Sequence, residues 1–331
     1  MSPIIVTANQ PEARFYRGGA AITAFRSSQP CTSHQPEDWV ASTTCCAGCK
    51  SSKIGLSRLP DGTFLADAIA AEPNHWLGPK HVARYGVDTK LLVKLLDAGQ
   101  RLPVHAHPHV SWAKKHLERK HGKAEAWYIL TPGTVHLGLM EPVGEQELLQ
   151  LVTTKRGGEL LKRMHKIDVK PHQTVYVPPG LLHAIGEGIL LVELQEPEDL
   201  SVLVEWAGFA IDGLKDGHLG LGFETALTAV DISVKTREEI LSLRTDAETQ
   251  KSAFHIDSET YFRLQRVKVS GSETCESGFA ILIVVGGNLG LWTKVGPELT
   301  LMKGSTVVIP FEDGEFTLTG EGELLIARPP L

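Results

Sequence analysis

The chain has little of what would tie it to a secreted, membrane-bound or nucleic-acid setting. Its 331 residues include only five cysteines, Cys31, Cys45, Cys46, Cys49 and Cys275. An odd count, together with the lack of a basic and then apolar leader over residues 1–10, argues against a disulfide framework. No apolar run approaches the roughly 20 residues needed to span a bilayer. The formal net charge is -6 and the basic residues are dispersed, so no basic face is set up for nucleic acid. The expectation is a cytoplasmic protein, a monomer or small homo-oligomer, with neither membrane nor nucleic acid as partner. One Cys-x-x-Cys element, Cys46 to Cys49, lies beside Cys45 and downstream of Cys31 and His34. Structural zinc sites usually pair two such elements, so these cysteines are expected to be reduced and non-ligating.

What is present is a composition suited to a packed core, with 42% hydrophobic and 22% charged residues. The length accommodates two domains. Short strand-like runs follow one another between Gly and Pro punctuation: Leu91–Leu96, Val104–His107, Ala126–Leu130, Val135–Met140, Thr174–Val177 and Ile189–Leu194. This spacing predicts an all-β dominated fold, a sandwich or barrel. Glu145 to His165 departs from it. Leu148, Leu149, Val152, Leu160, Leu161 and Met164 recur at helical intervals, which predicts two short helices broken at Gly157-Gly158. Another helical segment is expected near Arg237 to Arg244.

The chain also repeats itself. Thr174-Val175-Tyr176-Val177-Pro178 returns as Thr306-Val307-Val308-Ile309-Pro310, and Gly186-Glu187-Gly188 returns as Gly320-Glu321-Gly322. Ala126–Leu130 has a counterpart in Ala280–Val284. Two barrels of one design are expected, over residues 1–209 with a helical insertion at about 145–165, and over 210–331. The repeats put Thr317 opposite His183 and Phe279 opposite Glu125, so the second barrel is expected to be degenerate and structural.

His105 and His107 flank Ala106 and share one face of a strand. Glu125 opens a later strand, and His183 closes Pro178-Pro179-Gly180-Leu181-Leu182-His183. Such imidazoles and a carboxylate can converge inside a small barrel on zinc, iron, manganese, nickel or cobalt. The candidate metal ligands are His105, His107, Glu125 and His183. His109, His116, His121, His136, His165 and His172 lack such company and are expected on loops or surfaces.

The order and spacing of these motifs resemble a cupin, and more narrowly the short bacterial form of the type I mannose-6-phosphate isomerases. Phe15-Tyr16-Arg17-Gly18-Gly19, Pro36-Glu37-Asp38-Trp39, Leu102–Pro108, Gly122–Tyr128 and Tyr176–Gly186 carry the resemblance. It implies paired cupin (jelly-roll) barrels, Zn2+ or another divalent transition metal as cofactor, and aldose–ketose interconversion by proton transfer between C1 and C2. Lys123 and Glu193 match positions near the family's substrate, which implies catalytic roles for both. Mannose 6-phosphate/fructose 6-phosphate is the substrate pair implied.

The chain departs from the family pattern at three positions. His105 stands where the family has Gln, Pro103 where it has Ser, and Leu203 where a gapless count from Asp199 puts its catalytic Arg. Ser and Arg serve phosphate or enediolate charge, so weak activity on mannose 6-phosphate is expected unless Arg17, Arg84, Lys90, Lys94 or Lys215 supplies another cation. The alternatives are an isomerase or epimerase of an unphosphorylated sugar, a non-catalytic sugar-binding metal cupin acting as sensor or regulator, and an iron oxygenase or metal-assisted epimerase.

Overall fold

The computed structural model describes residues 3–12, 14–47, 53–247 and 252–331. Strands outweigh helices, 33% against 24%, and form antiparallel sheets. In the first half, five strands run in the order Arg244–Asp246, Gln173–Val177, Glu125–Ile129, Leu190–Gln195 and Leu92–Asp97, with Glu37–Val40 as a sixth at the edge. In the second half the order is Ile4–Ile5, Thr306–Ile309, Ala280–Thr293, Phe316–Arg328 and Arg263–Cys275. The two orders correspond strand for strand, as the sequence repeat implies. The outermost strands are exchanged: Ile4–Ile5 pairs with Thr306–Ile309, and Arg244–Asp246 pairs with Gln173–Val177.

Where the second half has two unbroken strands of 14 and 13 residues, the first half breaks each in two. Glu125–Ile129 is followed by Gly133–Leu139, and His183–Ile185 by Leu190–Gln195. The detached pieces join His105–Ala106, Met164–Val169 and Val202–Leu203 in a five-stranded sheet. The six-stranded and five-stranded sheets face each other and enclose Trp127, Val175, Val177 and Leu191 against Val135, Leu137 and Ile185. On the other side, alternate residues Val93, Leu95, Val192 and Leu194 pack with Ile281, Ile283, Val308 and Leu325 of the second half. The period of two along each strand thus divides one sheet between two cores.

Helices are more numerous than the sequence pattern anticipates. Ala20–Arg26, Leu65–Ala71, Pro73–Leu77, Pro79–Tyr85 and Val110–Leu117 have eight residues or fewer, too short for a sustained apolar period. Pro73 and Pro79 each open a helix, where a missing N–H costs nothing. The expected helices form at Glu145–Thr153 and Arg237–Ser242. The break at Gly157-Gly158 is displaced, however. Residues 154–156 interrupt the chain, and the two glycines open a 3-10 helix, Gly157–Arg163.

Contact explains the first of these glycines. A Cβ on Gly157 would lie 1.6 Å from the Val204 carbonyl oxygen, whereas one on Gly158 would meet the Glu205 carboxylate at 3.0 Å. Val204 follows the strand Val202–Leu203, and its N–H bonds Val104 O beside the histidine strand. Gly157→Ala should therefore push backbone against backbone and destabilise the fold by about 1–3 kcal/mol. Gly158→Ala, which meets a movable side chain, should cost clearly less. Urea unfolding of the two variants checks this, and equal losses would refute the close-approach account.

Candidate active site

His105 sits on the strand His105–Ala106, paired with His183 on one side and Leu203 on the other. His107 follows two residues on and Glu125 opens the neighbouring sheet's strand. All four candidate ligands are buried. A ligand nitrogen from each of His105, His107 and His183 lies within 4.8 Å of the others. Their Nδ1 atoms point away to backbone carbonyls, Pro103 O at 2.8 Å, Leu200 O at 2.7 Å and Leu181 O at 2.8 Å. A carbonyl only accepts, so each Nδ1 carries a proton, which leaves Nε2 of a neutral ring to present a lone pair.

Those lone pairs meet a carboxylate. Glu125 Oε1 lies 3.2 Å from His183 Nε2, and Glu125 Oε2 lies 3.0 Å from His107 Nε2. The buried His183 Nε2 has no hydrogen-bond partner. Burial lowers the His105 pKa well below its usual value, with the neighbouring His183 and His107 adding to the fall. Burial and then Lys123 lower His107 to about 3. Burial would raise the Glu125 carboxyl, but Lys123, His107 and His183 outweigh it and hold it well below the ordinary range. Unprotonated His105 and His107 and an ionised Glu125 fit a divalent transition metal, and the three carbonyl-held rings are the usual outer support of such a site.

Beside this cluster runs a row of charges, buried at Glu37, Lys94, Glu193 and Lys123 and partly buried at Arg14 and Asp199. Asp199 pairs with Arg14 at 3.2 Å, Arg14 with Glu37 at 3.2 Å, and Glu37 with Lys94 at 3.6 Å. Lys94 pairs with its cross-strand partner Glu193 at 3.4 Å, Glu193 with Lys123 at 3.8 Å, and Lys123 with Glu125 at 3.0 Å. Lys123 also contacts His107 Nε2 at 2.8 Å. Burial raises the Glu193 carboxyl; Lys94 pulls it down, and the Glu125 charge adds to the rise. All of these groups line or adjoin one cavity of about 410 Å³ that also contains Tyr16, Pro103, Ser201 and Leu203.

The structure thus brings together His105, His107, Glu125, His183, Lys123 and Glu193. Of the five cations considered as replacements for the family's arginine, Lys94 lines the cavity. Arg17 lines a different cleft, Arg84 reaches Leu331, Lys90 contacts His121 and Lys215 is exposed. Arg14, Glu37 and Asp199 are cavity residues that sequence reasoning passed over. Two histidines placed on loops or surfaces are in fact buried. His121 is 2.6 Å from Asp88, and His165, on the strand Met164–Val169, lies 2.7 Å from Lys235 O. Partners distant in sequence satisfy both rings. Among the described cysteines, Cys46 packs with Trp39 and Leu92, and burial raises its thiol to about 12, against reactivity. Cys49 lies outside the described residues.

Comparison with known proteins decides the family. Residues 251–329 match the model of the mannose-6-phosphate isomerase cupin domain. "Probable mannose-6-phosphate isomerase GmuF" of Bacillus subtilis is 30% identical over 246 residues, 72% of this chain and 75% of that protein. The chain belongs to the mannose-6-phosphate isomerase family. A relative from Streptococcus mutans named mannose-6-phosphate isomerase is 27% identical over 83% of the chain and 84% of its own length. The solved mannose 6-phosphate isomerase of Bacillus subtilis superposes with TM-score 0.75 at 23% identity, covering 99% of this chain and all of that one. A point variant of phosphomannose isomerase from Salmonella typhimurium gives 0.77 at 16% identity over the whole of both chains. These likenesses establish the cupin fold of the family from end to end.

The charge row also has a measurable consequence. Burial alone would raise the Glu37 carboxyl, but Arg14 and Lys94 hold it at about 2. A carboxylate so depressed stabilises the fold fully above the unfolded value of about 4.3, and that contribution fades as pH falls toward about 2. The stability gap between wild type and Glu37→Gln should therefore shrink as pH is lowered from 6 to 3. Urea midpoints across that range check it, and a pH-independent gap would show that Glu37 is not held ionised by its neighbours.

Proposed function

We propose that this family member is a metal-dependent aldose–ketose isomerase, with His105, His107, Glu125 and His183 as ligands of one divalent ion. The unpartnered His183 Nε2 facing a Glu125 oxygen at 3.2 Å is the observation that carries this reading. Two lone pairs held that close in a buried site call for a cation between them. Zinc is the first candidate, because its usual ligands are imidazole nitrogen and carboxylate oxygen. A bound ion would supply Lewis-acid polarisation of the sugar carbonyl.

The chain's own residues supply the rest. Lys123 and Glu193, 3.8 Å apart, are an ammonium and an elevated carboxyl beside the ligand cluster. Such a pair can take a proton from one of C1 and C2 and return it to the other, with geometry governing which. Lys94 lies across from Glu193 and holds its carboxylate in place. Glu37 in turn anchors Lys94, with Tyr16 OH donating to it at 2.6 Å and Trp39 Nε1 at 2.7 Å. The family's name makes mannose 6-phosphate the first substrate to assay. We further infer that residues 1–209 carry the site and that 210–331 act as scaffold. Phe279 and Thr317, set opposite Glu125 and His183 by the sequence repeat, do not face the interior of the second barrel, since Phe279 packs toward the first half with Ile281 and Ile283, and Thr317 lies between the core residues Phe316 and Leu318.

Elemental analysis should find one divalent metal per chain. Glu125→Ala and His183→Ala should lose it, together with several degrees of melting temperature, since a ligand bound only by the folded state stabilises that state. Thr317→Ala should lose neither. Stoichiometric metal surviving His107→Ala and His183→Ala would remove this assignment.

A further inference from the structure

We propose that the sugar turned over in this cavity is neutral: a free or deoxy aldose and its ketose, without a phosphate or other anionic substituent. The proposal rests on the isomerase reading above and narrows its substrate class. The first ground is charge. Among the described residues every cation lining the cavity is committed: Arg14 to Asp199 and Glu37, Lys94 to Glu37 and Glu193, and Lys123 to Glu125 and Glu193. With Glu125 assigned to the metal, the three carboxylates Glu37, Glu193 and Asp199 answer the three cations and leave no side-chain charge over, and the exposed Asp216 adds another anion at the cavity's edge. A phosphate dianion would have to break these pairs or lie against their carboxylates, and either course is unfavourable in a buried site.

The second ground is the opposite wall. Phe15, Leu102, Pro103, Leu203, Ile211 and Leu219 line the cavity with apolar surface. Leu203 is the register partner of His105, so the side chain next to the ligand cluster on that strand offers methyl groups and no charge. Tyr16, which could donate to an anion, already donates to Glu37 at 2.6 Å. A wall of this kind accommodates C–H edges of a sugar, while the carboxylates opposite accept hydrogen bonds from its hydroxyls. The volume, about 410 Å³, lies in the range of small-molecule sites, about 300–1,000 Å³.

The test uses the metal-loaded full-length protein. Steady-state kinetics would be measured on mannose, other free and deoxy aldoses, ketoses, and their 6-phosphates. In parallel, calorimetry would compare D-mannitol with D-mannitol 1-phosphate, and inorganic phosphate would be tried as an inhibitor. The expected result is kcat/KM on the best neutral sugar at least about tenfold above that on its phosphate, binding of the neutral hexitol in preference to the phosphorylated one, and no competition by millimolar phosphate. Equal or better turnover of a 6-phosphate, tighter binding of mannitol 1-phosphate, or binding of neither hexitol would overturn the proposal. Absence of turnover on every sugar, with the neutral hexitol still preferred, would instead strike down the isomerase reading and leave the charge argument standing. The double variant Pro103→Ser/Leu203→Arg should shift the ratio toward the phosphate by about tenfold or more. Should it not fold, the wild-type comparison decides alone.

Discussion

Three imidazoles and a carboxylate, aimed at one another in a buried site, are the constraint around which the rest of the site is organised. Backbone carbonyls hold the far nitrogen of each ring, so no histidine can relieve the crowding by changing tautomer. The protein can keep such an arrangement only with positive charge nearby. Part of it comes from Lys123, which touches both His107 and Glu125. Every other charge in the row follows from that lysine: Glu193 is drawn to it, Lys94 answers Glu193, and Glu37 answers Lys94. Arg14 and Asp199 end the row where the amino-terminal segment meets the chain after Gln195. Buried ions arranged with alternating sign are far less costly than the same ions isolated.

The sequence makes some of this legible and hides the rest, for identifiable reasons. Four of the six residues picked out in advance lie on strands, and His107 and Lys123 lie on the chain immediately beside two of those strands, where a period of two carries information about facing. His105 and His107 declare a shared face because Ala106 separates them, and Lys123 declares its direction because Glu125 is two residues away. Lys94 carries a comparable signal, a cation within the apolar run Leu91–Leu96, although a buried lysine in such a run needs a partner. Arg14, Glu37 and Asp199 carry none. Arg14 and Asp199 are 185 positions apart, and only the closed fold makes them neighbours. The helices between residues 65 and 85 were hidden in another way, since none is long enough to show the period by which helices are recognised.

The departures from the family pattern become physical once they are placed. On the family resemblance, His105 for Gln would exchange an amide oxygen for Nε2 of a ring whose Nδ1 donates to Pro103 O, and Pro103 is the position where the resemblance puts Ser. The two changes are therefore neighbours in space as well as in sequence. Leu203 faces His105 across the strand pair, so the third change borders the same atoms. Pro103 and Leu203 thus both put apolar surface on the wall beside His105.

The second half of the chain matters to this chemistry although it carries none of the candidate ligands. Along Leu92–Asp97, Val93 and Leu95 face the second barrel while Lys94 faces the cavity; along Leu190–Gln195, Val192 and Leu194 do the same around Glu193. Each charged residue that costs free energy to bury is thus flanked by two apolar residues whose burial returns about 1.5–3 kcal/mol apiece. Those residues could not be buried without a partner sheet, and the partner is the sheet of the second half. The exchanged strands Ile4–Ile5 and Arg244–Asp246 make the contact hard to undo, because each half completes its sheet with a piece of the other. A half that carries none of the candidate ligands is in this way tied to the site, because it covers the apolar residues that flank the charges its neighbour buries.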